Sequence, residues 1–178
     1  TLDKDFRIPL LAPLRSKTLD EIPDEVEQLI EAGFKTIKVK VGWDVDEDAI
    51  RVNKVQLAAA NRAIIRLDAN RNFGQEDAVR FSQLLISEGI ELFEQPCGAE
   101  EWAANTYVAS VSPVPIMLDE SIYTIDDVEQ AGAIKGVEFC KMKLKRAGSI
   151  DHLKAAMDRC RSLGMGAVVG DGVATEIG

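Results

Sequence analysis

Residues 36–41 read Thr-Ile-Lys-Val-Lys-Val, with apolar and polar positions in strict alternation and a glycine at 42 closing the run. A period of two puts Lys38 and Lys40 on one face and Ile37, Val39 and Val41 on the other, which predicts a strand. Other short runs rich in branched residues predict strands over 8–12, 63–69, 90–94, 115–120, 137–144 and 166–170. The amphipathic stretches between them predict helices over roughly 20–32, 45–62, 75–88, 99–110, 124–133 and 149–163. Capping chemistry agrees. Glu76 with Asp77, Asp126 with Asp127, and Ser149 with Asp151 fall at helix starts, while Gly33, Gly89, Gly132 and Gly164 fall at helix ends.

Strands alternating with helices imply a parallel sheet with right-handed crossovers, either a doubly wound open sheet or a (β/α)₈ barrel. No Gly-x-Gly-x-x-Gly follows the first strand, which weakens a dinucleotide-binding fold. The charges favour the barrel, whose active sites form at the C-terminal ends of the strands. Lys38 and Lys40, Asp68 with Asn70, Glu94, Asp119 with Glu120, and Lys141 with Lys143 all fall at such ends. From Lys40 through Asp68, Glu94 and Asp119 to Lys143 the steps are 24 to 28 residues, one βα unit each. Singly, each has a plain reading: a lysine-rich edge strand, an Asp-Asn turn, a strand end, a helix cap. In register on five successive strands, those readings require five coincidences.

Composition narrows the partners. The 178 residues are 46% apolar and 29% charged, ordinary for a globular protein, and the net charge of −9 argues against nucleic acid and anionic membranes. There is no long apolar run and no signal-peptide pattern. Cys97, Cys140 and Cys160 are odd in number and far apart, which fits buried thiols in a reducing, cytoplasmic setting.

Three carboxylates on adjacent strands make a hard, all-oxygen donor set suited to Mg²⁺, with Mn²⁺ able to stand in, and Asp68, Glu94 and Asp119 are the expected ligands. With strands counted from 8–12, the acids lie on strands three, four and five, and the lysine pairs on strands two and six. In an eight-stranded barrel two and six face each other across the metal, so a bound carboxylate substrate meets an amine on each side. That layout suits removal of the weakly acidic proton next to a carboxylate, with Mg²⁺ stabilising the enediolate. An amine base must be neutral when it acts, and Lys38, two residues from Lys40, disfavours the charged form of its neighbour. His152, the single histidine, falls early in a predicted helix, where a surface role is expected.

The runs Lys-Val-Lys-Val-Gly, Leu-Asp-Ala-Asn, Phe-Glu-Gln-Pro, Leu-Asp-Glu-Ser and Lys-Leu-Lys-Arg-Ala-Gly-Ser, in this order, resemble the enolase superfamily, and within it the muconate-lactonizing subgroup. The resemblance implies an α/β fold, a (β/α) barrel of the enolase C-terminal type, over about Gly33 to Gly178. It implies Mg²⁺ held by Asp68, Glu94 and Asp119, with Lys40 as acid/base on one substrate face, assisted by Lys38, and Lys143 on the other. Asn70, Glu120, Lys141 and Asp171 would support the site or orient the substrate. A histidine–aspartate dyad of the mandelate racemase type is not expected.

Such proteins usually carry a small α+β capping domain before the barrel. Residues 1–178 are expected to be a partial barrel of strands one to seven, without that domain and without the last βα unit. Lys141 stands where a shorter polar residue is expected, and the roles of Asp171 and Glu176 are open. The leading expectation is racemization or epimerization of an amino-acid-like carboxylate by a homo-oligomer. Dehydration or cycloisomerization is the alternative, and a catalytically silent barrel acting as scaffold is another. A phosphate-binding barrel ranks low, because Asp171 and Glu176 would repel phosphate.

Overall fold

The computed structural model describes residues 9–170. Its elements alternate without interruption: β1 (Ala12–Pro13), α1 (Ile22–Glu31), β2 (Thr36–Lys40), α2 (Val45–Ala59), β3 (Ile64–Asp68), α3 (Gln75–Leu84) and β4 (Ile90–Glu94). They continue with α4 (Trp102–Val111), β5 (Ile116–Leu118), α5 (Ile125–Gly132), β6 (Val137–Met142), α6 (Leu144–Ala147), α7 (Ile150–Ser162) and β7 (Gly166–Val169). The seven strands are parallel and hydrogen-bonded in chain order, β1 to β7, forming a curled wall of a (β/α) barrel.

Alternation along the strands builds the two sides of that wall. Ile37, Val39, Ile65 and Leu67 point outward and are buried with Val52 and Val55 of α2, Phe81 of α3, Val108 of α4 and Val128 of α5. Phe73, Phe81 and Phe93 form a ring cluster in this layer, with centroids 5.1, 5.3 and 6.3 Å apart. Burying these side chains is the main favourable contribution to the fold, about 1.5–3 kcal/mol each. The inner side carries Lys38 and Lys40, which the period of two sends the opposite way.

Register brings the charged ends together. Lys40 pairs with Asp68 and Asp68 with Glu94, while Glu94 pairs with Met117, two residues before Asp119. Asp119 lies just past β5, and Lys143 just past β6 as the N-cap of α6. The turn after β2 crosses close to the turn after β3. Gly42 has φ +111°, and a Cβ there would sit 2.9 Å from the Ala69 carbonyl oxygen and 2.8 Å from Asn72 Cβ. Only glycine fits that crossing.

Caps match the sequence reading at α5, where Thr124 and Asp127 form a capping box, and at α7, where Ser149 accepts from the His152 amide. Four expectations change, the first at α3, which ends at Leu84 with Leu85 as its C-cap, so that Gly89, at φ +77°, turns the chain just before β4 and does not close the helix. The strand expected over 8–12 is reduced, within the described residues, to Ala12–Pro13, since prolines at 9 and 13 lack the N–H a ladder needs. The end of the strand expected over 137–144 becomes the single turn α6, built of good helix formers and stopped by Gly148 at φ +75°. Gly132 is not left-handed but is the last residue of α5, where a Cβ would lie 2.8 Å from Leu163 Cδ1. Its small size serves packing rather than a turn.

Candidate active site

Five strand ends deliver charge to one place. Asp68, Glu94 and Asp119 are each 1% exposed, and cationic side chains from β2 and from β6 and the turn after it interleave with them. Lys38 Nζ stands 2.6 Å from Asp68 Oδ2 and 2.8 Å from Glu94 Oε2. Lys141 Nζ stands 2.7 Å from Glu94 Oε1 and 3.2 Å from Asp119 Oδ2. Lys40 Nζ lies 2.5 Å from Asp68 Oδ2, and Lys143 Nζ lies 2.8 Å from Asp119 Oδ1. Carboxylates and ammoniums thus alternate around the wall, with Lys40 and Lys143 at the two ends. Lys40 opens to the mouth, its side chain 45% exposed against 11% for Lys143.

Supporting contacts fix this array. Asp68 Oδ1 accepts from the Asn70 amide at 2.9 Å, and the Asn70 side chain accepts from Lys40 and donates to Glu120 Oε1 at 3.2 Å. Glu120 Oε1 also faces Arg71 Nε at 3.6 Å, while its Oε2 is buried with no hydrogen-bond partner among the described residues. Such an orphaned acceptor is uncommon in a folded interior.

Two residues that sequence reasoning left unassigned hold the third carboxylate. Gln95 is fully buried, and its Oε1 accepts from the Asp119 amide at 2.9 Å and the Ser121 amide at 3.2 Å. Its Nε2 donates to Ser121 Oγ at 2.9 Å and the Cys97 carbonyl at 3.1 Å. Arg146 Nη1 donates to the Asp119 carbonyl at 2.6 Å and to Oδ1 at 3.1 Å, and its guanidinium lies 4.7 Å from the Tyr123 ring centroid. The signal for both lay inside motifs already singled out, Phe-Glu-Gln-Pro and Lys-Leu-Lys-Arg-Ala-Gly-Ser. Asn70, Arg71 and Gln95 all have positive φ (44°, 71° and 38°), so the backbone is held in a costly conformation where the site forms.

The electrostatics are uneven. Burial pushes the Glu94 carboxyl up and neighbouring Asp68 adds to this, outweighing the opposing pull of Lys38 and Lys141. Burial also works to raise Asp68, but the charge and hydrogen bond of Lys38 bring it below the usual carboxylate range. For Asp119 burial is again opposed, here by the hydrogen bond of Lys143 and the charge of Lys141, and the carboxyl is held at about 2. Burial works to lower Lys141, yet the charge of Glu94 leaves its ammonium held above the ordinary lysine range.

Among the described residues no three His, Cys, Asp or Glu side chains gather into a group able to hold a metal ion, and Lys38 and Lys141 are ion-paired to the acids. The donor chemistry still fits a hard divalent cation. Three buried carboxylates on successive strand ends supply the hard oxygen donors such a cation prefers. His152 is exposed in the first turn of α7, its Nδ1 3.2 Å from the Ala147 carbonyl. Cys97, Cys140 and Cys160 are buried free thiols. Asp171 and Glu176 lie outside the described residues.

Residues 21–178 match the family described as enolase C-terminal domain-like. The chain belongs to that family. The resemblance read from the five motifs is therefore borne out, as is the α/β barrel fold. The chain is 27% identical over 181 residues to an L-Ala-D/L-Glu epimerase of Bacillus subtilis, a match covering 100% of this chain and 48% of that protein. Among solved structures it resembles a dipeptide epimerase from Enterococcus faecalis complexed with Mg and the dipeptide L-Leu-L-Tyr, at 28% identity and TM-score 0.82. It also resembles a muconate cycloisomerase from Pseudomonas fluorescens, at 25% identity and TM-score 0.83. Each of these two matches covers 89% of this chain and 45% of the other. The chain spans about half the length of the relatives it matches. No helix among the described residues is long and apolar enough to cross a membrane.

Proposed function

We propose that this chain carries the proton-transfer centre of a Mg²⁺-dependent enzyme that removes the α-proton of a small carboxylate substrate with one amine and delivers a proton to the opposite face from another, an epimerase of dipeptide-like or amino-acid-like compounds. One observation carries the reading: three buried carboxylates stand in register between Lys40 on one flank and Lys143 on the other. Asp68, Glu94 and Asp119 would hold the cation, which would supply the positive charge that makes an α-proton removable near neutral pH. Lys40, the more exposed amine, takes or gives the proton on the mouth side, and Lys143 does so on the far side. Asn70 and Asp68 orient Lys40, while Asp119 orients Lys143. The dipeptide epimerase likeness supports this choice of substrate.

The test is exchange in D₂O. Dipeptides incubated with the chain and Mg²⁺ should gain one mass unit at the α-carbon as the opposite epimer accumulates. Absence of deuterium uptake across a dipeptide and carboxylate library would overturn the reading. The likeness to a muconate cycloisomerase favours a second reading, cycloisomerization or dehydration, which needs one lysine and a leaving or closing group. It is distinguished by a changed bond framework or loss of water in place of simple mass gain.

A further inference from the structure

Glu94 sits at the centre of the carboxylate row, and each of its oxygens is taken by a different ammonium. Oε2 faces Lys38 at 2.8 Å and Oε1 faces Lys141 at 2.7 Å. The two lysines mirror each other in their contacts: Lys38 ties Glu94 to Asp68, and Lys141 ties Glu94 to Asp119. Lys38 belongs to the Lys-x-Lys pair of β2 that accompanies the base. Lys141 has no such duty in the proton transfer described above.

A divalent cation held by Glu94 and Asp119 would draw on the two carboxylates that Lys141 pairs with, at 2.7 Å on Glu94 Oε1 and 3.2 Å on Asp119 Oδ2. The Lys141 side chain is mostly buried, so repulsion between its ammonium and a cation on the same carboxylates would be poorly screened. We propose that Lys141 is a resident counter-ion that competes with the divalent cation for Glu94 and Asp119, so that its ammonium leaves at least one of them when the cation enters. The inference rests on the metal reading under Proposed function and deepens it. Lys141 keeps two buried acids neutralised and in place without metal, and it weakens the affinity of the site for metal.

Mn²⁺ binding to the full chain, followed by calorimetry or by electron paramagnetic resonance, tests this without any turnover. Lys141→Gln should bind Mn²⁺ at least about tenfold more tightly than the parent, since an opposing buried charge is gone. Lys141→Met, which keeps the length of the stem, should do the same, while Lys141→Arg keeps the charge and should stay near the parent affinity. Without cation the Gln and Met variants should melt lower than the parent, and added Mn²⁺ should raise their melting temperature more. Variants that fold only with Mn²⁺ present would show the same competition. Affinity equal to or weaker than the parent in a folded Gln or Met variant would overturn the proposal. Absence of Mn²⁺ binding in the parent and in every variant would overturn the metal reading itself, and this inference with it.

Discussion

Lys143 Nζ lies 2.8 Å from Asp119 Oδ1 and 2.9 Å from Oδ2, so the amine on the far flank is aimed by the carboxylate beside it. Lys40 and Asp68 repeat the arrangement at the other end, at 2.5 Å. Removing either amine leaves its carboxylate anchored. Asp119 keeps Lys141, Arg146 and the Gln95 clamp, and Asp68 keeps Lys38 and the Asn70 amide.

Lys143→Ala and Lys40→Ala should therefore each abolish α-proton exchange from one substrate face without weakening Mg²⁺ binding. The loss on the affected face should be about 10²–10⁴-fold, the usual contribution of a positioned acid or base. Stereochemically resolved deuterium incorporation into each epimer measures it. Retained exchange from both faces in either variant would remove the two-base assignment.

Asp119→Asn preserves shape but deletes the charge that Lys141, Lys143 and Arg146 all face. Mg²⁺ affinity should drop at least about tenfold, and exchange should drop in parallel, because a neutral amide is a weaker ligand for a hard cation. Full exchange at low Mg²⁺ would exclude Asp119 as a ligand.

Stability should depend on acid in a sign-specific way. Asp119 is held at about 2, below its ordinary 3.8, chiefly by Lys143 and Lys141 against the opposing effect of burial. A folded-state value below the unfolded one means that this carboxylate adds stability above the unfolded value. That gain, about 2 kcal/mol, is lost as pH falls from about 4 to 2. Glu94 acts the other way, since burial and Asp68 raise it, so its unfavourable contribution fades as pH falls through its raised value. Urea midpoints across this range should show the parent losing its advantage over Asp119→Asn between about pH 4 and pH 2. Parallel curves would show that Asp119 is not held low.

Much of this was legible in the chain because parallel βα units repeat at nearly constant length. The spacing from Lys40 to Lys143 reports register directly, and the alternation at 36–41 says that Lys38 and Lys40 share a face. What could not be read depends on atoms brought together from different strands. The alternation of Lys38 and Lys141 with the acids needs side-chain direction as well as register, so an open cluster of three carboxylates was expected where ammoniums intervene. The positive φ of Gln95 has no local sequence signature such as glycine, and three of its four side-chain hydrogen bonds join the end of β4 to the segment after β5. The brevity of β1 follows from Pro9 and Pro13, which the apolar run around them masks.

Gln95 offers the sharpest separation of support from chemistry. Its side chain is fully buried and touches no reacting group, but it satisfies the amides of Asp119 and Ser121 together. Gln95→Leu keeps the bulk and removes both acceptor and donor, leaving those amides without their partner in a dry interior. The expected destabilisation is about 2–4 kcal/mol, from two unmet donors at roughly 1–3 kcal/mol each with partial relaxation. Asp119 is displaced with its amide, so Mg²⁺ affinity should fall as well, whereas Gln95→Glu keeps the acceptor and should restore part of it. Chemical denaturation with a parallel Mn²⁺ titration reads both quantities. A stable Gln95→Leu chain with parent-like Mn²⁺ binding would show that the segment carrying Asp119 is held by its other contacts, Arg146 foremost.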